Sequence, residues 1–202
     1  MKSLLSIFAV LFFFCSSIVL AQETKIWYDK DFKLDNNSTF VGKDSLVTLN
    51  YPDSSEKAVG KLAFANNGAL SPFKVGEWIY YYPNGSIKSR GNYQMSSFID
   101  CGTGGPERVF YYYKTGKWSF FDTDENVLAV GIFKNDEFPI STRCGTETIL
   151  FGITDSSWNY SNLNKLDNRE IEEVEIDYED FSAKMFYDRK EDWIKVEYDL
   201  SQ

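Results

Sequence analysis

Short stretches in which apolar and polar positions alternate, separated by turn residues, run along most of this chain. The alternation is sharpest in residues 73–93, Phe-Lys-Val-Gly-Glu-Trp-Ile-Tyr-Tyr-Tyr-Pro-Asn-Gly-Ser-Ile-Lys-Ser-Arg-Gly-Asn-Tyr. A period of two places Trp78, Tyr80 and Tyr82 on one face of a strand and Ile79 and Tyr81 on the other. Pro83-Asn84-Gly85 then offers a preset φ, a residue tolerant of the left-handed region and a glycine, which is the chemistry of a tight reversal. The stretch predicts a β-hairpin.

The unit recurs without a gap at residues 113–133. Lys74, Gly76, Trp78 and Gly91 align with Lys114, Gly116, Trp118 and Gly131, and Phe73, Tyr80, Tyr81, Ile87 and Tyr93 with Tyr113, Phe120, Phe121, Val127 and Phe133. The kept positions are those a hairpin needs: a glycine before the strand, a large anchor, and a late glycine where the return strand lets another backbone approach. A second register, residues 80–85 on 111–116, keeps the aromatic run and the turn glycine Gly85 but loses the tryptophan and the late glycine, and ranks behind the first.

Gly-x-Trp-x-x-Tyr-Tyr-x-Asn-Gly-x-Ile followed by Gly-x-Tyr resembles the MORN-type repeat, in the variant found in bacterial exported proteins and in proteins labelled antitoxin-like. The resemblance covers residues 73–133. It implies an all-β meander of antiparallel hairpins in an elongated curved sheet, used as a scaffold or binding surface, with no catalytic residues. The second copy departs from the pattern at Glu125, which replaces the turn glycine.

Around these copies the pattern predicts further strands. Residues 46–51 and 58–64 read as a hairpin about Pro52-Asp53-Ser54-Ser55, and residues 25–34 as a degenerate unit capping the N-terminal end. Residues 147–153 read as a buried strand, and Trp158, as far beyond Trp118 as Trp118 is beyond Trp78, as an eroded third unit. From Ile171 to Leu200 apolar positions alternate with Glu175, Asp177, Glu179, Lys195 and Glu197, predicting a terminal meander with one charged face that blunts the sheet against edge pairing. The expected organisation is a signal-peptide helix at 1–21, a repeat domain at 22–145 and a C-terminal meander at 146–202 that continues or caps the sheet.

The signal peptide rests on Lys2, the apolar residues 4–14 and Val19-Leu20-Ala21, which predict cleavage after Ala21 and export to the periplasm, cell surface or medium. An uncleaved anchor is the alternative. Bulky Phe12-Phe13-Phe14 before Cys15 argues against a lipoprotein. No other stretch is apolar enough to span a membrane. The formal charge of the 202-residue chain is −9, and losing Lys2 makes it one more negative. That balance excludes nucleic acid, whose phosphates need Lys and Arg, and docking on anionic lipid. Cys101 and Cys144, the pair left after cleavage, predict a disulfide in an oxidising compartment.

Candidate chemistry is sparse. The chain has no histidine, which excludes Ser-His and Cys-His nucleophiles and histidine metal sites. Residues 101–106 are glycine-rich, but no Gly-Lys-Ser/Thr and no helix follow to cradle phosphate. Asp122-Thr-Asp-Glu-Asn126 starts like a calcium loop, yet Val127 stands at the required glycine and Phe133 at the closing glutamate. Those residues fall on the second turn, where Asn126 is expected to take the left-handed role of Gly85. The Glu175/Asp177/Glu179 row lies on one strand face and does not flank a substrate. No metal or cofactor is expected.

Tyr80, Tyr82, Tyr111 and Tyr113 form the candidate binding face if exposed, since tyrosine joins contact area to a polar tip; otherwise they fill the core. The favoured function is a non-catalytic exported repeat protein that binds an unidentified protein in the cell envelope. The alternative is a carbohydrate-binding surface module or a carboxylate-dependent glycoside hydrolase. An antitoxin role conflicts with a signal peptide.

Overall fold

The computed structural model describes residues 27–36, 38–102, 104–161, 173–177 and 182–199. The signal segment 1–21 and Glu179 lie outside the described residues. After a single 3-10 turn at Asp29–Asp31 the described chain is built of strands. β1 (Asp44–Asn50), β2 (Glu56–Phe64), β3 (Leu70–Tyr81), β4 (Ile87–Gly102), β5 (Gly105–Phe121), β6 (Val127–Thr142) and β7 (Gly145–Thr154) lie side by side in chain order, all antiparallel. A short β8 (Asn159–Tyr160) pairs with the start of β6 and makes the sheet eight-stranded. β9 (Val174–Asp177), β10 (Ser182–Asp188) and β11 (Trp193–Asp199) form a second, three-stranded sheet. The chain is thus the all-β meander of hairpins that the alternation predicts, with the first sheet running past residue 145 to Tyr160.

Three hairpins repeat one turn. Ser54, Gly85 and Glu125 have φ of 70°, 85° and 61°, and each donates its N–H three residues back, to Tyr51, Tyr82 and Asp122. Glu125, not Asn126, therefore takes the left-handed position, because Asp122 Oδ1 holds the turn by accepting from the N–H groups of Asp124 and Asn126. The first hairpin, β1–β2, is a unit of the same kind with Val47 where the later copies have tryptophan.

Gly76 and Gly116 do not precede their strands but interrupt them, at φ 62° and 66°. Each sits where the pairing with the previous strand slips, between Val59 and Lys61 and between Arg90 and Asn92. This is a bulge that a side chain would strain.

Across the sheet, glycines and tryptophans alternate on one face. Trp78 is paired with Gly91 and Trp118 with Gly131, and each indole lies over the glycine on its other side. A Cβ on Gly60, Gly91 or Gly131 would come within 2.1, 2.2 and 2.4 Å of Trp78, Trp118 and Trp158 respectively. Each indole N–H donates to the carbonyl just past that glycine: Trp78 to Lys61 at 2.9 Å, Trp118 to Asn92 at 3.0 Å, Trp158 to Ile132 at 2.8 Å. The aromatic two residues on stacks against it, Tyr80, Phe120 or Tyr160, with centroids 5.9, 5.7 and 6.0 Å away. Trp158 is a full member of the series. The late glycine admits a tryptophan ring and not, as expected, a backbone; the glycine that a backbone does approach is Gly152, whose Cβ would meet the Lys114 carbonyl oxygen at 1.8 Å.

Beyond this row the strands outrun the repeat. β4 and β5 continue as a long hairpin to Gly102 and Gly105, β6 and β7 as another to Thr142 and Gly145. Phe98, Tyr111 and Tyr113 of the first pack with Phe138, Ile140, Ile149 and Phe151 of the second, and Met185 and Ile194 of the three-stranded sheet close the cluster. On the other side Met95 and Phe110 meet Phe32, Phe40, Phe73 and Val75. Cys101 is disulfide-bonded to Cys144 with Cα atoms 5.1 Å apart, joining the two hairpin tips.

Candidate interaction surface

The four tyrosines of the candidate face do not form one. Tyr111 and Tyr113 are 0% and 1% exposed. The Tyr111 hydroxyl donates to the Leu150 carbonyl at 2.8 Å and accepts from the Leu150 N–H at 3.0 Å, bolting β5 to β7. Burial pushes the Tyr113 hydroxyl up to about 12, with the Asp35 carboxylate adding to the shift, so neither group offers a charge or a free tip near neutral pH. The alternation placed both on one face correctly, but the β6–β7 hairpin covers that face. Tyr80 and Tyr82 are half-buried and braced. Tyr80 Oη donates to Tyr93 Oη at 3.3 Å, and Tyr82 Oη to the Phe121 carbonyl at 2.9 Å. Tyr51, at the same place one unit earlier, donates likewise to Tyr81 at 2.8 Å. These tyrosines tie successive turns together.

The tryptophan face is also filled. The Lys74 ammonium stands 5.1 to 5.4 Å from the ring centroids of Trp78, Tyr80, Tyr93 and Tyr112. Burial pulls its pKa down, but the facing Tyr112 and Tyr80 hydroxyls more than offset this, so the group stays above its ordinary value and charged. Lys114 repeats the placement over Trp118 at 5.7 Å and donates to the Glu173 carbonyl at 3.2 Å.

The opposite face of the three hairpins is open. There the phase of the alternation brings up Ile79 and Tyr81 of β3, Ile87 and Arg90 of β4, Phe121 of β5 and Val127, Val130 and Ile132 of β6. Val127 is 43% and Ile132 57% exposed; the others are half-buried save Arg90, which is exposed. Tyr81 pairs with Ile87 and Phe121 with Val127 across the ladder, and the Arg90 guanidinium carbon lies 5.9 Å from the Phe121 ring. Arg90 thus puts a positive charge beside these apolar groups although the chain is acidic overall, whereas Lys61 of β2 is paired with Asp44 at 3.3 Å. Sequence reasoning passed over this face because it followed the tryptophan phase. The signal for it was the other phase of the same strands.

A shallow polar cleft opens elsewhere, lined by Asn36, Ser38, Ser96, Ser97, Glu137 and Thr148 over Ile149 and Leu150. Ser96 Oγ donates to the Ser38 carbonyl at 2.9 Å, and Arg108 Nη1 donates to Ser97 Oγ at 2.9 Å. Among the described residues no group of three or more His, Cys, Asp or Glu side chains is placed to hold a metal ion, and no helix is long and apolar enough to cross a membrane. The side chains of Glu175 and Asp177 lie outside what is described.

A single open sheet built by stacking one hairpin on the next defines a repeat module. Residues 74–95, the core of the second hairpin, match the family described as MORN repeat variant. That segment is a MORN-type repeat, a kind of repeat that serves as a protein- or membrane-binding module. No curated protein and no solved structure matches it.

Proposed function

We propose that this chain is an exported, non-catalytic scaffold of the cell envelope that binds another protein through the open face of its hairpin sheet. The observation that carries the reading is the contiguous patch of Tyr81, Ile87, Phe121, Val127 and Ile132 beside Arg90 on the face away from the tryptophans. Apolar side chains gathered on one partly exposed sheet face are a common feature of contact surfaces, and tyrosine, phenylalanine and arginine are the residues that protein interfaces enrich. The tryptophan face has no such opening, being occupied by its own rings and Lys74. Export follows from the leader at 1–21, and the Cys101–Cys144 bridge suits an oxidising compartment. The partner contact needs no cofactor, and the net negative charge leaves nucleic acid out of the reading.

The test is affinity capture from an envelope extract by the wild-type chain and by the double variant Val127→Asp/Ile132→Asp. Both side chains point outward, so the variant is expected to keep its melting temperature while losing the captured protein. Capture of the same protein at the same yield by a folded variant would remove this face from the reading. A second reading, a carbohydrate-binding surface module, rests on the hydroxyl-rich cleft at Ser96, Ser97 and Thr148. Glycan-array binding abolished by Glu137→Gln would favour it over the first.

A further inference from the structure

The two long hairpins are secured to each other by unlike means along their length. Inward, Phe98 and Tyr111 pack with Ile140 and Ile149, and the Tyr111 hydroxyl bolts β5 to the Leu150 backbone. Outward, residues 141–148 read Ser-Thr-Arg-Cys-Gly-Thr-Glu-Thr and residues 100–102 Asp-Cys-Gly, with no aliphatic or aromatic side chain among them. The tips therefore lack the hydrophobic contact that holds the rest together. They are joined by the Cys101–Cys144 bridge and by Asp100, whose carboxylate accepts from the Arg143 N–H and faces a guanidinium that is more than half exposed.

Cys144 is exposed and Cys101 half-buried. Exposed disulfides are the ones that thiol exchange reaches, whereas bridges enclosed in a core resist it. Ser97 and Thr148 of the polar cleft stand four positions inward of Cys101 and Cys144, so the cleft's outer wall depends on the same tie.

We propose that the Cys101–Cys144 bridge is a thiol-sensitive clasp, which a dithiol opens in the folded protein so that the two hairpin tips part while the repeats stay as they are. One thiolate of the dithiol attacks Cys144 Sγ, the exposed end. A sulfur–sulfur bond forms there, and the bond to Cys101 breaks with its electron pair going to Cys101 Sγ. The second thiolate then attacks the dithiol's own sulfur in this mixed disulfide and releases Cys144. The dithiol ends oxidised to a cyclic disulfide, the bridge ends reduced to two thiols, and the two protons pass from the dithiol to the cysteines. Parting stops at Phe98, Ile140 and the Tyr111 bolt, where packing takes over. The repeats are untouched because each tryptophan–glycine joint is made between neighbouring hairpins and not through the tips. The inference is independent of the open-face reading, since the patch about Arg90 lies outside the tips.

The test is reduction of the purified, oxidised protein by dithiothreitol in neutral buffer, with free thiols counted by alkylation and mass spectrometry and hydrogen exchange measured before and after. Both thiols are expected to appear at a rate that changes less than about twofold between no urea and about 1 M urea, because the attack needs no unfolding. Reduction through the unfolded chain would instead speed up at least about fivefold over that range. In the reduced protein, exchange is expected to rise at least about tenfold at residues 98–102 and 140–146 and to stay as it was about Gly91 and Gly131. Glutathione disulfide should then restore the first pattern. Reduction that follows the urea dependence of unfolding, unchanged exchange at the tips, loss of protection about Gly91 and Gly131 as well, or failure of the bridge to reform would each overturn the proposal.

Discussion

The turn half of the large sheet and its long-hairpin half hold together by different physics. In the turn half each hairpin meets only its neighbours, through one tryptophan, one glycine and one indole hydrogen bond repeated at Trp78, Trp118 and Trp158. In the other half β4–β5 and β6–β7 pack against each other and against the three-stranded sheet, and no contact repeats. The first kind of stability is a sum of like nearest-neighbour joints, as in solenoids. The second depends on pairings distant in sequence, which a covalent bridge and a fitted core secure. The contrast teaches that repetition here builds a surface, while the non-repeating half gives that surface a fixed base.

The largest effect should come from breaking a joint. Trp118 is 1% exposed and packs on Gly91 and Tyr93 of the preceding hairpin and on Phe133 of its own, so Trp118→Ala is expected to cost about 5 kcal/mol, the upper end for a buried aromatic. Trp118→Phe should cost less, roughly 1 to 2 kcal/mol for the carbonyl of Asn92 left without its donor. Thermal melting of the two variants measures both. A loss under about 1 kcal/mol for Trp118→Ala would mean that the long-hairpin half alone sets stability.

Next in size is the tie between the tips. Cys101 and Cys144 are 43 positions apart, and on the chain-entropy model closing such a loop is worth about 4 kcal/mol, less if the unfolded chain keeps structure. Cys101→Ser/Cys144→Ser should lower the melting temperature accordingly. Hydrogen exchange should rise at residues 98–102 and 140–146 while protection about Gly91 and Gly131 stays. Equal loosening of both halves would erase the distinction between them.

A smaller effect separates the turns. Glu125 holds φ 61° where the equivalent residue Gly85 holds 85°, and a left-handed non-glycine costs roughly 1 kcal/mol. Glu125→Gly is therefore expected to stabilise by about 0.5 to 1 kcal/mol, reduced by losing the weak contact of its Oε1 with the Ile87 N–H at 3.4 Å. Melting again decides, and a loss of stability would show that the contact between turns outweighs the backbone strain.

How far the sequence could be read follows the same division. The two hairpins and the terminal strands were legible because a period of two and a recurring Trp–Gly pair are local signals, whereas Trp158 read only as an eroded unit because the strand about it, Asn159–Tyr160, is short. The first hairpin was legible as a hairpin but not as a repeat unit, since Val47 replaces the residue that marks the others. Tyr111 and Tyr113 were open to either reading because alternation fixes which side a residue takes and says nothing about what covers that side. The late glycines were assigned the wrong neighbour because Trp118 and Gly91 meet across strands, a contact that no spacing within one strand reveals. The open face went unread because its residues, Ile79, Phe121 and Ile132, are ordinary strand residues until the sheet sets them side by side.

The smallest effect tests the base without touching its covalent tie. Beside the disulfide, Asp100 Oδ1 accepts from the N–H groups of Arg143 at 2.7 Å and Cys101 at 2.8 Å, and Oδ2 meets the Arg143 guanidinium at 3.2 Å. Burial pushes the carboxyl up, but these donors together outweigh it and leave its pKa below the ordinary 3.8. A carboxyl lowered by folding adds stability that is complete above its unfolded pKa and is lost as the pH falls through the lower folded value. The Arg143 side chain is 58% exposed, so solvent screens the pair and the gain is small. In the oxidised protein, stability should therefore fall as the pH drops below about 4, and Asp100→Asn should flatten that fall while leaving the turn half unchanged. The check is the melting temperature followed from pH 6 to about 2.5 for both proteins, across the range where a carboxyl titrates. Parallel curves would show that acid reaches the fold through other carboxylates, and that the tips are held by the bridge and the packed core alone.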